Sequence, residues 1–420
     1  MTEALLERRE RLLGPRMTTF YDEPLHLVRG AGTRLWDAEG REYLDCYNNV
    51  PHVGHCHTKV VDAICAQAAM LNTHTRYLHD GIVDYAEDLT STFADPLNAM
   101  MFTCTGSEAN DIALRMARAM TGQTGVIVTD HTYHGNTDAV SQLSSTNPPP
   151  NRWDNIEFVP APDSYRPMSS EDWAGHVKAA ISRLEERGHG VSALLICPFF
   201  ANEGFPDLPS GWVVPAVEAV RAAGGMVIAD EVQPGFGRLG THFWGHEKAG
   251  FLPEIATLGK PMGNGHPVAG VVTSRSVMEA FRKTFRYFNT FGGNPVSMAA
   301  AQATLDVIRE EGLQENARVV GDYVREGLRD LASRHECIGD VRGSGLFLGA
   351  ELVLDRDAKT PATAFTKQVA NAVRQKGVLM NFLGIHYNVL KIRPPMVFSR
   401  GDADRMLKAV DQALSEVPLA

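Results

Sequence analysis

Three features of the chain place reactive groups where a chemical site could form. Asp230 ends the apolar run MVIAD (226–230), where a carboxylate is costly to bury without a cationic or hydrogen-bonding partner. Taken alone, it reads equally as an ordinary strand-end acid capping a turn. Lys260 closes IATLGK (255–260) before the turn PMGNGHP. Desolvation at such a position lowers an amine's pKa and makes it nucleophilic near neutral pH, although a lysine there can also simply reach solvent. The glycines at 259, 263 and 265 favour the first reading, since they let backbone approach a ligand closely. Thr105-Gly106-Ser107-Glu108 has the pattern of a capping box, hence a well-made helix start. The same free N–H groups beside a small Gly-Ser turn can bind phosphate without any basic residue, so the two readings are compatible.

Together, an imine-forming lysine, a buried aspartate and a phosphate cradle are what pyridoxal 5'-phosphate requires. Lysine holds the aldehyde, aspartate keeps the pyridine nitrogen protonated so that the ring accepts carbanion electrons, and the helix start grips the phosphate. Tyr133-His134-Gly135, after the run VIVTD, adds an aromatic ring able to stack on the cofactor. By contrast GFGRLG (235–240) matches a dinucleotide fingerprint but follows Pro234 and precedes THFWGHEKAG, a poor helix opening. A nicotinamide oxidoreductase would rest on that match alone, and a binding protein without catalysis would be expected to lack Lys260 or Asp230. The histidines of HVGHCH (52–57) lack the helical spacing of a zinc site and read as turn or core residues, so no metal is expected.

These groups need a frame. The runs VIVT (126–129), ALLIC (193–197), GMVIA (225–229), IATL (255–258) and AGVVT (269–273) are continuously apolar, which predicts strands covered on both faces. Between them lie amphipathic stretches such as Glu108 to Met120, stopped by Gly122. The expectation is an α/β fold, a mainly parallel sheet flanked by helices, with a smaller α+β unit beyond residue 311. That unit comprises a long helix with Leu313, Val320, Tyr323 and Leu331 inward, a strand at GLFLGAELV, and two helices, PATAFTKQVANAVRQKG and GDADRMLKAVDQALSEV. NPPPNRW (147–153) predicts a surface loop.

Composition narrows the partners. The chain has 420 residues, 44% hydrophobic and 21% charged, with 40 Lys+Arg against 50 Asp+Glu and net charge −10. Such a chain can bury a large core, and the acidic balance disfavours broad nucleic-acid or anionic-membrane binding. The six cysteines form no CxxC pair and read as reduced thiols. The N-terminal MTEALLERRERLLG reads as a surface helix and not a signal peptide. A cytoplasmic protein acting on small molecules is the expectation.

The motifs TCTGSEANDIALRMAR (103–118), DHTYHGN (130–136), VIADEVQPGFGRLG (227–240), TLGKPMGNGHPVAG (257–270) and FNTFGGNP (288–295) resemble those of the class-III aminotransferases, the ornithine and 4-aminobutyrate type of fold-type I pyridoxal-phosphate enzymes. The resemblance runs from about Tyr43 to the C-terminus. RYLHDGIVDYA (76–86), YFNTFGGNPVS and RPPMVFS look closest to the branch containing ethanolamine-phosphate phospho-lyase. The resemblance implies Lys260 as the Schiff-base (aldimine) lysine and proton shuttle, and Asp230 as the pyridinium partner. It implies Tyr133 on the ring beside His134, Gly106 and Ser107 on the phosphate, and Gln233 near the phenolic oxygen. Thr290 would reach the phosphate from a neighbouring subunit, which implies a homodimer with shared active sites, or a tetramer built from it.

The resemblance further implies a small domain that joins residues 1–60 to 311–420 around a cofactor-binding domain at 61–310. Arg393, in LKIRPPM, matches a substrate-binding arginine, with Tyr21 and Asn49 as further substrate residues. Where ornithine aminotransferase reads EPIQGEAG, this chain has CPFFANEG (197–204), so Cys197 and Asn202 replace two acids, the second of which masks that arginine. Arg393 is then free for a carboxylate or phosphate, unless Glu203 reaches it. The implied activity is transfer of an amino group from an amine or amino acid to a 2-oxo acid. The alternative is elimination of phosphate from an amino-alcohol phosphate. Animal phospho-lyases of that branch carry lysine at the position of Arg393, so the arginine favours transfer.

Overall fold

The computed structural model describes residues 2–15 and 17–419. Its centre is a seven-stranded sheet in the order Ala99–Thr103, Ala269–Thr273, Ile255–Leu258, Met226–Asp230, Ala193–Ile196, Val126–Thr129, Ile156–Val159. All five apolar runs form strands, and every residue of those strands is buried. Ala269–Thr273 alone runs against its neighbours, on both sides.

Continuous hydrophobicity has a direct cause here. Val126, Val128, Leu195, Met226 and Ile228 pack on one face with the helix Gly106–Thr121 and with Val277 and Phe281 of Arg275–Thr284. Ile127, Leu194, Ile196, Val227 and Ala229 pack on the other with the helices Ser170–Glu186 and Val214–Ala222. These strands therefore supply alternate residues to two helical layers, and each valine, leucine, isoleucine or methionine among them contributes about 1.5–3 kcal/mol by leaving water.

Because the strands are parallel, their carboxyl ends share one edge. Thr129, Asp230 and the residues after Leu258 and Thr103 arrive there together, the usual location of a ligand in an open α/β sheet. A second sheet runs Ile338–Ser344, Phe347–Asp355, Val389–Ile392, Asn381–Leu383, and the helices Leu313–Arg334, Thr363–Gln375 and Arg400–Glu416 lie in the same C-terminal part. Within Leu313–Arg334, Leu313, Val320 and Leu331 are buried as expected. Tyr323 is not. It is half-buried, and its hydroxyl donates to Asp404 at 2.5 Å.

The strands Leu27–Ala31, Arg34–Asp37 and Glu42–Asp45 form a third sheet completed by Val378–Leu379, which pairs in parallel with Glu42–Asp45. The two ends of the chain thus share a sheet. The helix Thr2–Leu13 is mostly exposed along the residues whose side chains are described, and residues 147–153 carry no regular structure.

Candidate active site

At the carboxyl edge of the large sheet, Gly106, Ser107, Tyr133, His134, Asp230, Gln233 and Lys260 bound one cavity, about 540 Å³ including the solvent at its mouth.

Asp230 is buried, and its carboxylate is held from three directions. His134 Nδ1 donates to Oδ2 at 2.7 Å, Asn110 Nδ2 donates to the same oxygen at 3.0 Å, and the Val232 amide donates to Oδ1 at 3.0 Å. Asn110 is itself fixed, since Thr257 Oγ1 donates to its Oδ1 at 2.7 Å and its Nδ2 also reaches the His134 carbonyl at 2.7 Å. His134 Nε2 meets Thr132 Oγ1 at 2.9 Å. Donors around the carboxylate fix its orientation and leave it an acceptor for a group in the cavity.

Lys260 is accessible from the cavity, yet protein crowds its amine. Desolvation first, and then the positive charge of Arg393, push its pKa below the ordinary lysine range, against an opposing pull from Asp230. Such an amine is a better nucleophile and proton acceptor at neutral pH than a free lysine.

The helix start is built as its pattern predicts. Thr105 Oγ1 accepts from the Glu108 amide at 3.2 Å, and Glu108 Oε2 accepts from the Thr105 amide at 2.9 Å. Ser107 lies against the loop 130–136: its Oγ donates to Asn136 Oδ1 at 3.1 Å and accepts from the Asn136 amide at 3.2 Å. Gly135 makes that approach possible, because a Cβ there would fall 2.5 Å from Ser107 Oγ and its φ of 138° disfavours any side chain. Tyr133, half exposed, projects at the mouth of the cavity.

Residues 18–414 match the family model for aminotransferase class-III. The chain belongs to the class-III aminotransferases.

Members of this family depend on pyridoxal phosphate, and the chain is a pyridoxal-phosphate-dependent aminotransferase of the α/β fold-type I architecture. It is 42% identical to a Drosophila melanogaster protein named alanine–glyoxylate aminotransferase 2-like, over 98% of this chain and 87% of the relative. It is 38% identical to ethanolamine-phosphate phospho-lyase homolog 1 of Caenorhabditis elegans, over 98% and 93%. Among solved structures, a phospholyase from Arthrobacter in complex with phosphoethanolamine is 44% identical, with a TM-score of 0.96 over 99% of this chain and all of that one.

The site's donor set fits the cofactor this family uses. A depressed amine, a carboxylate with fixed orientation and a capped helix N-terminus pressed against a glycine loop face one cavity. The GFGRLG segment, by contrast, is a run of turns that opens no long helix. His52 and His55 are engaged with protein groups, the Phe236 carbonyl at 2.8 Å and Asp45 at 2.7 Å.

The other expected residues are engaged within the chain or lie away from the cavity. Gln233 lines the cavity, and its Oε1 accepts from Arg393 and from Lys391 Nζ at 3.3 Å. Glu203 does not reach Arg393: its Oε1 accepts from Thr129 Oγ1 at 2.6 Å and its Oε2 from the Asn202 amide at 3.0 Å. The Tyr21 hydroxyl is committed to the Met380 carbonyl at 2.9 Å, and neither Tyr21 nor Asn49 lines the cavity. Asn49 is buried with its Nδ2 unpartnered. Thr290 is exposed in the loop before Pro295–Glu310, outside the cavity of its own chain. Arg393 is buried, and desolvation pushes its pKa down to about 10.

Asn110, Asn136 and Lys391 were not singled out from the sequence. A signal existed for two of them. Asn110 is a polar residue on an otherwise apolar buried helix face with Ala109, Ala113 and Ala117, and Lys391, in the strand Val389–Ile392, stands two residues before Arg393, just past its end.

Proposed function

We propose that this aminotransferase moves an amino group from an amine or amino acid to a 2-oxo acid, with Lys260 as the proton-moving group. What carries this reading is the convergence of Lys260 and Asp230 on one cavity beside the N-terminus of Gly106–Thr121. When bound, pyridoxal phosphate supplies an imine link to the substrate amine and a protonated ring that takes up the electron pair freed at the substrate carbon. Asp230, oriented by His134 and Asn110, holds the proton on the ring nitrogen. Ser107 and the first-turn amides of its helix bind the phosphate. Tyr133 covers the ring from the cavity mouth. Lys260, its pKa lowered, takes the proton from the substrate carbon and returns it to the other end of the shifted bond. Arg393 binds the carboxylate of the acceptor once the Gln233 amide turns aside.

A second reading is favoured by a specific observation. Lys391 stands beside Arg393, and similarity to the Arthrobacter phospholyase spans the whole chain. In that reading the same proton removal expels phosphate from the neighbouring carbon, and water then releases ammonia and an aldehyde.

The proposal extends to assembly and place. Two copies share their active sites, each phosphate being completed by Thr290 of the partner subunit, and residues 61–310 form the cofactor-binding domain with the two chain ends in the small one. Among the described residues no helix is long and apolar enough to cross a membrane, which is compatible with the cytoplasmic location we propose.

Incubation with an amine plus pyruvate, and separately with amino-alcohol phosphates alone, tests the choice. Alanine formed from pyruvate supports transfer. Inorganic phosphate released with no oxo acid present assigns elimination instead.

A further inference from the structure

Two motifs outside the cavity, GFGRLG (235–240) and HVGHCH (52–57), meet each other. Arg238 Nη2 donates to His52 Nδ1 at 3.1 Å, and His52 Nε2 donates to the Phe236 carbonyl at 2.8 Å. A guanidinium only donates and a carbonyl only accepts, so His52 is neutral with its proton on Nε2. Burial first, and then the Arg238 charge, push its pKa well below the ordinary histidine range, in agreement. Arg238, fully buried, also donates from Nη1 to the carbonyls of Pro394 at 2.6 Å and Leu346 at 3.0 Å. The Met396 amide donates to the His52 carbonyl at 2.7 Å. His52 thus joins the turn that follows Asp230 to the segment that follows Arg393.

A second tie reaches the turn that follows Lys260. Asn264 Oδ1 accepts from the Val53 amide and Asn264 Nδ2 donates to the Gly54 carbonyl, both at 2.9 Å. Gly54 in turn is seated on the C-terminal segment: a Cβ there would lie 3.0 Å from Val397 Cγ2, and its φ of 101° favours glycine. Residues 52–54 therefore connect the turns after Asp230 and Lys260 to residues 394–397.

The titratable and charged groups facing Lys260 fall into two sets. Asp230 and Cys197 stand at the ends of neighbouring strands of the sheet that carries Lys260, so that sheet fixes their distances. Arg393 and Lys391 come from the strand Val389–Ile392 and its end, in the second sheet, so their distances depend on what joins the two parts. A guanidinium near an amine disfavours the amine's charge, by an amount that varies with their separation.

We propose that Asn264 is a positioning residue: by clasping residues 53 and 54 it sets the spacing between Lys260 and Arg393, and thereby how readily Lys260 takes a proton. The inference rests on Lys260 being the proton-moving group of the proposed activity. It concerns a residue outside the cavity that touches neither substrate nor cofactor.

Glycine adopts the φ of 49° found at Asn264 without strain, so Asn264→Gly removes both bonds and keeps the turn. The pH midpoint of the holoenzyme is read from the cofactor's visible absorbance and from the pH profile of kcat/KM. The nitrogen of Lys260, free or linked to the cofactor, faces the same guanidinium. That charge holds it below the ordinary lysine range, so moving the charge away lets the midpoint rise. Asn264→Gly should raise it by roughly 0.3–0.5 pH unit, the scale for unit charges a few ångströms apart whose separation grows by about 1 Å. Asn264→Ala loses the same bonds and adds backbone strain, so it should melt lower than Asn264→Gly yet show the same shift. With Arg393→Met as background, Asn264→Gly should shift the midpoint no further. An unchanged midpoint in Asn264→Gly, a shift in Asn264→Ala alone, or a further shift in the Arg393→Met background overturns the clasp. Retention of the visible band in Lys260→Ala would instead remove Lys260 from the cofactor, and with it the reading on which the clasp rests.

Discussion

Lys260 combines two conflicting demands, being accessible to a substrate while its charge is disfavoured by its surroundings. Lys260→Ala should abolish turnover and remove the long-wavelength absorbance of bound cofactor while leaving the circular dichroism unchanged. A colourless but active wild type would remove the cofactor role. Glu203 presents the opposite case. Burial pushes its carboxyl above the usual range, against hydrogen bonds from Thr129 and its own loop. A folded-state pKa above the unfolded one means the native state binds the proton more tightly, so stability falls as pH rises from the unfolded value toward the folded one. Glu203→Gln should lack this part of the decline, so its Tm relative to wild type should rise as pH increases above the ordinary glutamate value of about 4.3. A pH-independent difference would show that the carboxyl titrates normally. Lys260 and Asp230 were legible in the sequence because each ends an apolar run, where a charge is conspicuous. The pairing of Gln233 with Arg393 and Lys391 was not legible, since it joins a turn after one sheet to a strand of another and no local pattern encodes that meeting.

At the scale of elements, the parallel strands were legible because burial on both faces leaves an uninterrupted apolar run, and the capping box marked the start of Gly106–Thr121. Short strands were not. Val378–Leu379 is two residues long and gains its identity only by pairing with Glu42–Asp45 from the far end of the chain. The helix start and the loop 130–136 meet by way of Gly135, and this contact carries a prediction. Gly135→Ala must displace Ser107 or the loop, because the added carbon would lie 2.5 Å from Ser107 Oγ on a backbone with φ of 138°. The variant should fold, since the contact lies at the first turn of Gly106–Thr121 and outside the buried sheet, but should lose cofactor on dialysis about 10-fold faster than wild type, as expected for the loss of one hydrogen bond to a charged group. Unchanged cofactor retention would remove Ser107 from the phosphate site.

For the whole molecule, the open question is where Thr290 acts. Its own chain leaves it exposed and away from the cavity, in a neighbourhood where Phe291 is 69% exposed and Tyr77 and Leu78, on the segment before the helix Asp80–Thr90, are more than half exposed. Apolar surface of this kind is expected to be covered, and a two-fold interface would bring the same loop of each copy to its partner. Shared sites can be tested by complementation. Lys260→Ala lacks the proton-moving amine, and Thr290→Asp sets a negative charge against the phosphate, so each homodimer should be nearly inactive. In a mixed dimer one site combines both defects, and the other has Lys260 of one chain with Thr290 of the other, both intact. Unfolding and refolding an equal mixture should therefore recover about a quarter of wild-type activity, because half of the dimers are mixed and each has one working site. If each site were built from a single chain, every site would keep its own defect, and mixing would recover nothing beyond the sum of the two variants.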